Sequence, residues 1–242
     1  SSLNVYLACP LSYFYSNILK VPVYVEDKDI LSYGSSMHFA IDFMTKSAIK
    51  NGFWGEACDM INKFKEKINN MEFTTPEKRD EYEKRGIKAI NDNFLKLIEA
   101  NPKNILKTEY KMELDFEGTI LKGFADRISK DNEGNIYITD FKTGSYKKAK
   151  EGTKYYNQLR FYKFLYEELN PNSKVAETAL VFVEENFATS KPTDGITKNE
   201  EIKEIIRNAV KNIKNLNFEP VKNKDNCKFC NYKLICNLYN KN

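Results

Sequence analysis

The sequence predicts a mixed α/β fold, in which a β-sheet is flanked by helices between a helical N-terminal region and a cysteine-bearing C-terminal tail. Apolar residues recur at helical spacing through the first hundred residues. Three strand-like segments follow, in which apolar and charged residues alternate, and then a helix, an apolar strand and a last helix. A helix inserted between strands in this way favours a mixed sheet over an all-helical or all-β fold.

Length and composition are consistent with a single domain that has a substantial core. The chain has 242 residues, of which 41% are hydrophobic and 13% aromatic, enough for one large domain or two small ones. We expect one domain with a helical part (1–103), a sheet with its helix (104–185) and a C-terminal helix with the cysteine tail (186–242). The net charge of +4 permits a polyanionic partner without arguing for one.

The composition also bears on location. No apolar run approaches the length of a membrane span, and no basic region precedes a signal-like segment at the N-terminus. The odd number of cysteines, five in all, favours a metal site over a disulfide framework. We therefore expect a cytoplasmic protein with no membrane partner.

Four helices are predicted in the N-terminal region, at 3–19, 31–50, 54–68 and 76–100. The second contains Met37, Ile41, Met44 and Ala48 at helical spacing, and the fourth begins with a proline, which suits the first helical position. We expect these helices to form a wall around the functional site.

The strands are predicted at 105–116, 119–128 and 136–142. In the first, charged residues alternate with apolar ones, which gives a charged outer face and an apolar inner face. The other two form a hairpin around the polar turn 131–135, and period-two alternation places Ile120, Lys122, Phe124, Asp126 and Ile128 on one face. A helix at 153–169, a strand at 175–183, a helix at 198–216 and the tail 226–242 complete the chain.

The hairpin brings two carboxylates together. If Lys130 faces Ile136 across the turn, Asp126 lies opposite Asp140. Like charges directly opposite each other repel, so a bound cation or the Lys142 ammonium must compensate them, and oxygen ligands of this kind suit Mg²⁺ or Mn²⁺. The alternative is a solvated hairpin face with scattered charges, and a one-residue shift of register would undo the pairing.

The spacing of Asp140, Phe141 and Lys142 supports the metal hypothesis. It places a carboxylate and an ammonium side by side, and the Phe141 carbonyl can point at the same ion. Such a set can hold a divalent metal, polarise a phosphodiester and activate a water molecule, while Lys142 orients that water or neutralises developing charge.

Three more side chains are candidates for the same site. Gln158 and Tyr162 lie one helical turn apart on one face, although this pair alone is more typical of an ordinary amphipathic helix. His38 is the only histidine. It is either a core or surface residue or a nitrogen ligand of the carboxylate site.

A second metal site is predicted in the tail. Cys227, Cys230 and Cys236 lie within ten residues of one another, and Cys9 could supply a fourth thiolate. Four cysteines suit either Zn²⁺ or an iron–sulfur cluster, which would staple the first helix to the tail. Cys58 is not a predicted ligand, and we expect it to pack within its own helix.

Taken together, these segments resemble the PD-(D/E)XK nuclease superfamily, in particular its RecB-like branch with four cysteines. This branch includes AddB-type, CRISPR-associated exonuclease-type and UvrD-helicase-fused nuclease domains. The segments that carry the resemblance are Tyr6-Leu7-Ala8-Cys9-Pro10, Gly34-Ser35-Ser36-Met37-His38, Gly123-Phe124-Ala125-Asp126-Arg127, Asp140-Phe141-Lys142-Thr143-Gly144, Gln158-Leu159-Arg160-Phe161-Tyr162, and Cys227, Cys230 and Cys236.

The resemblance implies a restriction-endonuclease-like mixed sheet and a role for each candidate. His38, Asp126 and Asp140 would bind Mg²⁺ or Mn²⁺ together with the Phe141 carbonyl. Lys142 would be the catalytic lysine, and Gln158 and Tyr162 would complete the site. The resemblance also implies that Cys9, Cys227, Cys230 and Cys236 hold a 4Fe–4S cluster.

The implied function is metal-dependent hydrolysis of DNA, in which the protein acts on single strands or duplex ends in repair or recombination. The start at Ser1 and the end shortly after Cys236 lead us to expect the C-terminal domain of a helicase–nuclease. The alternatives are a stand-alone CRISPR-associated exonuclease, a DNA-binding iron–sulfur module with little cleavage, and a structural zinc protein. Lys147, Lys148, Lys150 and Arg160 are candidates for phosphate contacts.

Overall fold

The computed structural model describes residues 2–22, 28–146, 154–191, 199–222, 227–228 and 230–236. Its α-helices are α1 (Ser2–Ala8), α2 (Pro10–Tyr13), α3 (Lys28–Asn51), α4 (Ala57–Asn69), α5 (Pro76–Ile98), α6 (Lys154–Leu169) and α7 (Asn199–Lys214). Its strands are β1 (Ile105–Phe116), β2 (Thr119–Lys130), β3 (Ile136–Lys142), β4 (Val175–Phe182) and β5 (Ala188–Ser190). None of the described helices is long and apolar enough to cross a membrane.

The chain divides into two compact units. The central unit, Asp27–Asn199, contains α3 to α6 and all five strands. The terminal unit combines Ser1–Glu26 with Glu200–Asn242, so it joins the two ends of the chain.

The central unit is built on a five-stranded sheet in the order β1-β2-β3-β4-β5. Neighbouring strands are antiparallel except for β3 and β4, which are parallel. Parallel neighbours need a long crossover connection, and α6 lies in that connection. The predicted mixed α/β fold is confirmed, with the short strand β5 as an addition that the sequence did not indicate.

Helices cover the sheet in two apolar clusters. Tyr156 and Leu159 of α6 pack with Leu180 and Phe182 of β4. A larger cluster joins α3, α4 and α5 to Phe141 of β3 and to the end of β4. Asp140 pairs with Leu180 in the ladder, whereas Phe141 pairs with Val181. Asp140 therefore lies on the α6 face of the sheet and Phe141 on the other.

In the terminal unit, aromatic rings connect α1 and the segment after it to residues that follow α7. The Tyr6 hydroxyl donates a hydrogen bond to the Asn217 carbonyl, 3.1 Å away. The ring of Phe14 lies 4.8 Å from that of Phe218, centroid to centroid, and Tyr15 lies 5.3 Å from Tyr232 in the tail.

The opening helix departs from prediction because it is not continuous. The expected helix at 3–19 is divided into α1, α2 and a π-helical turn at Phe14–Ile18. The break falls at Cys9, which is extended (φ −165°) and precedes Pro10. A residue before proline is biased away from helical conformation, so this boundary has a local cause.

Candidate active site

The hairpin has the register that the sequence predicts. Lys130 pairs with Ile136 and Arg127 with Thr139. One further step along both strands places Asp126 opposite Asp140. The Asp126 carboxylate accepts a hydrogen bond from the Phe141 backbone N–H at 2.5 Å, so the backbone of β3 holds this side chain in place.

His38 lies beside Asp126, as expected for members of one site. Its Nδ1 is 3.4 Å from Asp126 Oδ1. Burial lowers the pKa of His38, but the hydrogen bond and the charge of Asp126, together with the charge of Asp140, outweigh burial, and the pKa is raised. The imidazole is therefore held by the Asp126 carboxylate of β2.

Glu109 of β1 is the member of this site that sequence reasoning missed. Ligand atoms of His38, Glu109 and Asp126 all lie within 4.8 Å of one another. Burial raises the pKa of Glu109, and the nearby Asp126 carboxylate raises it further. The flanking pairs Thr108–Arg127 and Tyr110–Ala125 place Glu109 opposite Asp126. Glu109, Asp126 and Asp140 thus form a row of carboxylates across three strands.

Glu109 is exposed, in agreement with the charged outer face predicted for β1, but its backbone is unusual. Its φ is +45°, a left-handed conformation that is uncommon for a non-glycine residue and is found at bulges and functional sites. Thr108 donates a hydrogen bond to Asp42 of α3, whereas Phe116 packs edge-on against Phe164 of α6. The two residues are an even number apart yet contact different helices, although the alternation of exposed and less exposed residues continues unbroken from 106 to 116.

The structure corrects the predicted shared face of β2. Gly123 and Ala125 are buried, as is Ile128, while Ile120 and Phe124 are about half exposed. Burial therefore passes from odd to even positions around Asp126. There is no single environment for the five predicted residues Ile120, Lys122, Phe124, Asp126 and Ile128.

Asp140 is buried and engages different partners from Asp126. One of its carboxylate oxygens contacts the Lys142 ammonium, and the other accepts a hydrogen bond from Gln158 Nε2 at 3.1 Å. Burial raises the pKa of Asp140 to about 6, an effect that Lys142 opposes and Asp126 reinforces. Asp140 is not part of the group formed by His38, Glu109 and Asp126, although its charge influences His38.

Gln158 links Asp140 to Tyr162, and the structure brings the predicted pair together. Gln158 Nε2 donates to the Tyr162 hydroxyl at 2.6 Å as well as to Asp140. Burial raises the pKa of Tyr162, and the Asp140 charge adds to the rise, so the phenol stays protonated. Helix α6 can approach β2 this closely because residue 123 is glycine. A Cβ at that position would lie 2.7 Å from Leu165 and 3.3 Å from Tyr162.

The donor set fits a hard divalent cation. One imidazole and two carboxylates converge from α3, β1 and β2, with the Asp140 carboxylate on the neighbouring strand β3. Such oxygen-rich sets with a nitrogen suit Mg²⁺ or Mn²⁺. Burial, reinforced by the Asp126 charge, raises the pKa values of Asp140 and Glu109 and so disfavours their ionised forms. A bound cation would offset this, since an opposite charge nearby favours ionised carboxylates.

The cysteines of the terminal unit are arranged more loosely. All four predicted ligands are partly buried free thiols. Burial raises the pKa of Cys230, and Cys9, Cys227 and Cys236 contribute further increases through their charge. Among the described residues, however, no three cysteine sulfurs lie within 4.8 Å of one another. Ligands of one tetrahedral zinc would be closer, given Zn–S bonds of about 2.3 Å, so the thiols do not form a preassembled zinc site.

The basic candidates could be placed only in part. Lys147, Lys148 and Lys150 lie outside the described residues. Arg160 of α6 is half-buried, and its Nη1 is 3.4 Å from the Asn157 side-chain oxygen.

Comparison with known proteins identifies the family. A model of the PD-(D/E)XK nuclease superfamily matches residues 1–237, so the chain belongs to this superfamily. No curated protein matches it.

Two solved structures are similar to the chain. One is from Eubacterium rectale and bears the name "Putative exonuclease". It is 12% identical with a TM-score of 0.53, over all of this chain and 86% of that one. The other, SSO0001, is 21% identical with a TM-score of 0.40, over 66% of this chain and 78% of that one. At these identities, the first similarity supports the fold alone.

Proposed function

We propose that this protein is a divalent-metal-dependent nuclease that hydrolyses phosphodiester bonds in DNA. The observation that carries the proposal is the row of Glu109, Asp126 and Asp140 across adjacent strands, with Lys142 in contact with the last of them. Membership of a nuclease superfamily supports the same reaction class.

The residues that would hold Mg²⁺ or Mn²⁺ are His38, Asp126 and Asp140, together with the Phe141 carbonyl, and we add Glu109 to this set. When bound, such an ion polarises the phosphodiester and activates water for attack. Lys142 supplies a positive charge next to Asp140, where it can stabilise negative charge that develops on the phosphate.

Gln158 and Tyr162 have a positioning role in this proposal. Gln158 fixes one oxygen of Asp140 through its amide N–H, which leaves the second oxygen to Lys142 or an ion. Tyr162 in turn holds Gln158. Such supporting hydrogen bonds orient the ligands of metal sites, and their loss typically costs about 10- to 100-fold in affinity or activity.

Finer features of the proposal derive from sequence resemblance. We propose that Cys9, Cys227, Cys230 and Cys236 bind a 4Fe–4S cluster, supported by the mutual influence of their thiols on Cys230. We also propose an exonuclease-like role in cytoplasmic DNA repair or recombination, as one nuclease domain fused to or associated with a helicase.

The test is cleavage of labelled single-stranded and duplex DNA with Mg²⁺ or Mn²⁺. We expect wild type to cleave and Asp126→Asn and Lys142→Met to lose at least about 100-fold in rate, as expected when a group that stabilises the transition state is removed. Asp115→Asn and Lys130→Met change exposed residues of β1 and β2 and serve as matched controls with unchanged rates.

The outcomes separate this proposal from the binding-module alternative. Intact DNA with retained binding, in wild type as in both site variants, would exclude the nuclease and support a module that only holds DNA. Equal cleavage by wild type and the Asp126→Asn and Lys142→Met variants would instead identify a contaminating nuclease.

A further inference from the structure

A second cavity lies in the central unit, away from the carboxylate row. It has a volume of about 370 Å³ and is lined by residues from the 100–105 segment and from all five strands. Arg127 and Thr139, which pair across β2 and β3, both line it. Thr139 alternates with Asp140, so the cavity lies on the sheet face opposite that carboxylate.

Among the described residues, Arg127 has no ion-pair partner in this cavity. Its Nε is buried and makes no hydrogen bond within the described part of the chain. The guanidinium lies over the Phe141 ring, 5.1 Å from its centroid.

The acidic residues at the cavity are engaged elsewhere. Glu177 forms an ion pair with Lys191 at 2.5 Å. Asp131 accepts hydrogen bonds from the Asn135 side chain and the Tyr137 hydroxyl. A largely enclosed cation that forms no ion pair with the carboxylates described around it is costly to bury, and this cost points to an anionic ligand.

We propose that this cavity binds a phosphate group, as inorganic phosphate or a nucleoside monophosphate, with Arg127 as its anchor. The planar guanidinium matches the oxygen pair of a phosphate, and the hydroxyls of Ser129 and Thr139 line the same cavity. The volume falls in the range of small-molecule sites. This site is distinct from the carboxylate row and does not depend on nuclease activity.

The test is isothermal titration of the full chain, without added Mg²⁺ or Mn²⁺, first with inorganic phosphate and then with deoxyadenosine 5′-monophosphate. We expect saturable binding by wild type. Arg127→Met should weaken it about 10- to 100-fold, the loss expected for a charge-assisted hydrogen bond. Arg79→Met changes an exposed arginine of α5 and should leave binding unchanged.

Two further variants keep the test valid if Arg127→Met does not fold. Arg127→Lys keeps the charge but removes the planar fork, and Thr139→Val removes one hydroxyl while keeping the shape. Both should weaken binding by less than Arg127→Met does. Tighter binding of the nucleotide than of phosphate would support a nucleotide ligand, and equal affinity would support phosphate itself.

Two results would overturn the proposal. One is the absence of binding by wild type to either compound. The other is equal binding by wild type and every folded variant of Arg127 and Thr139, which would place the ligand elsewhere. Because the titration needs no divalent metal and no DNA, either result leaves the proposed nuclease function untouched.

Discussion

The ligands of the two candidate metal sites are carried by different kinds of secondary structure. His38, Glu109 and Asp126 project from a long helix and two paired strands of the central unit. The cysteines of the terminal unit lie at a break between two short helices and in a tail whose regular structure includes the 3₁₀ turn Lys233–Ile235. Hydrogen-bonded strands fix the spacing of their side chains before any ion binds. In short segments, by contrast, the spacing of the ligands is set only when the metal binds.

This difference has an energetic consequence. A site assembled by the fold must hold its carboxylates buried and close to one another without an ion, and burial together with the Asp126 charge raises the pKa values of Glu109 and Asp140. A site assembled by its metal instead draws on metal binding for folding free energy. We therefore expect metal removal to reduce activity in the central unit and stability in the terminal unit.

The largest expected effect is at the cysteines. In anaerobically purified protein, Cys236→Ser should abolish iron and sulfide binding and lower the unfolding free energy by several kcal/mol, because losing a structural metal is among the most damaging changes. Metal analysis, visible absorbance and urea denaturation measure this. Cys58→Ser changes an exposed thiol of the central unit. It should change neither the binding of iron and sulfide nor the unfolding free energy.

A colourless protein that contains zinc would contradict the cluster and revive the structural zinc alternative. A protein that binds no metal, and in which Cys236→Ser has no effect on stability, would remove the second metal site altogether. Only the second result would leave the carboxylate site as the sole metal centre of the comparison.

The next effect tests whether Glu109 belongs to the metal site. Glu109→Gln keeps the size of the side chain but removes its charge, so we expect metal affinity and cleavage rate to fall about 10- to 100-fold. Glu113 lies four residues along the same strand, where it pairs with Lys111 and Lys122. Glu113→Gln is therefore the matched control and should retain both properties.

The rate as a function of Mn²⁺ concentration makes this test sharper. If Glu109 binds the ion, excess Mn²⁺ should restore part of the lost rate in Glu109→Gln. A normal rate and a normal metal affinity in this variant would remove Glu109 from the site and leave His38, Asp126 and Asp140 as first predicted.

Register explains what the sequence could predict. The polar turn 131–135 fixed the pairing of β2 with β3, and the approach of Asp126 to Asp140 followed from counting residues. The contact of Lys142 with Asp140 and the hydrogen bond between Gln158 and Tyr162 also agree with the spacing of these residues in the sequence. Local patterns were sufficient wherever the backbone was regular.

The failures fall where the backbone is irregular. Nothing in the residue types of β1 signals a left-handed Glu109, and the change of buried face around Asp126 in β2 was not predicted either. Arg127 was part of a recognised segment, but its enclosure depends on five strands at once. Such properties arise from tertiary packing, which overrides strand alternation.

The smallest expected effect tests whether packing of α6 on the sheet positions the carboxylate site. In Gly123→Ala the added methyl group would overlap Leu165, which is fully buried and cannot move aside freely. Overpacking of this kind typically costs about 1–3 kcal/mol, and a shift of α6 would also move Gln158 and Tyr162 relative to Asp140. Urea denaturation should show the loss of stability, with a lower cleavage rate under conditions where the variant is fully folded.

Gly144→Ala is the control, because a Cβ at residue 144 would meet no atom within 4 Å. A destabilised Gly123→Ala with an unchanged rate would show that the strands alone position the site, without help from the helix.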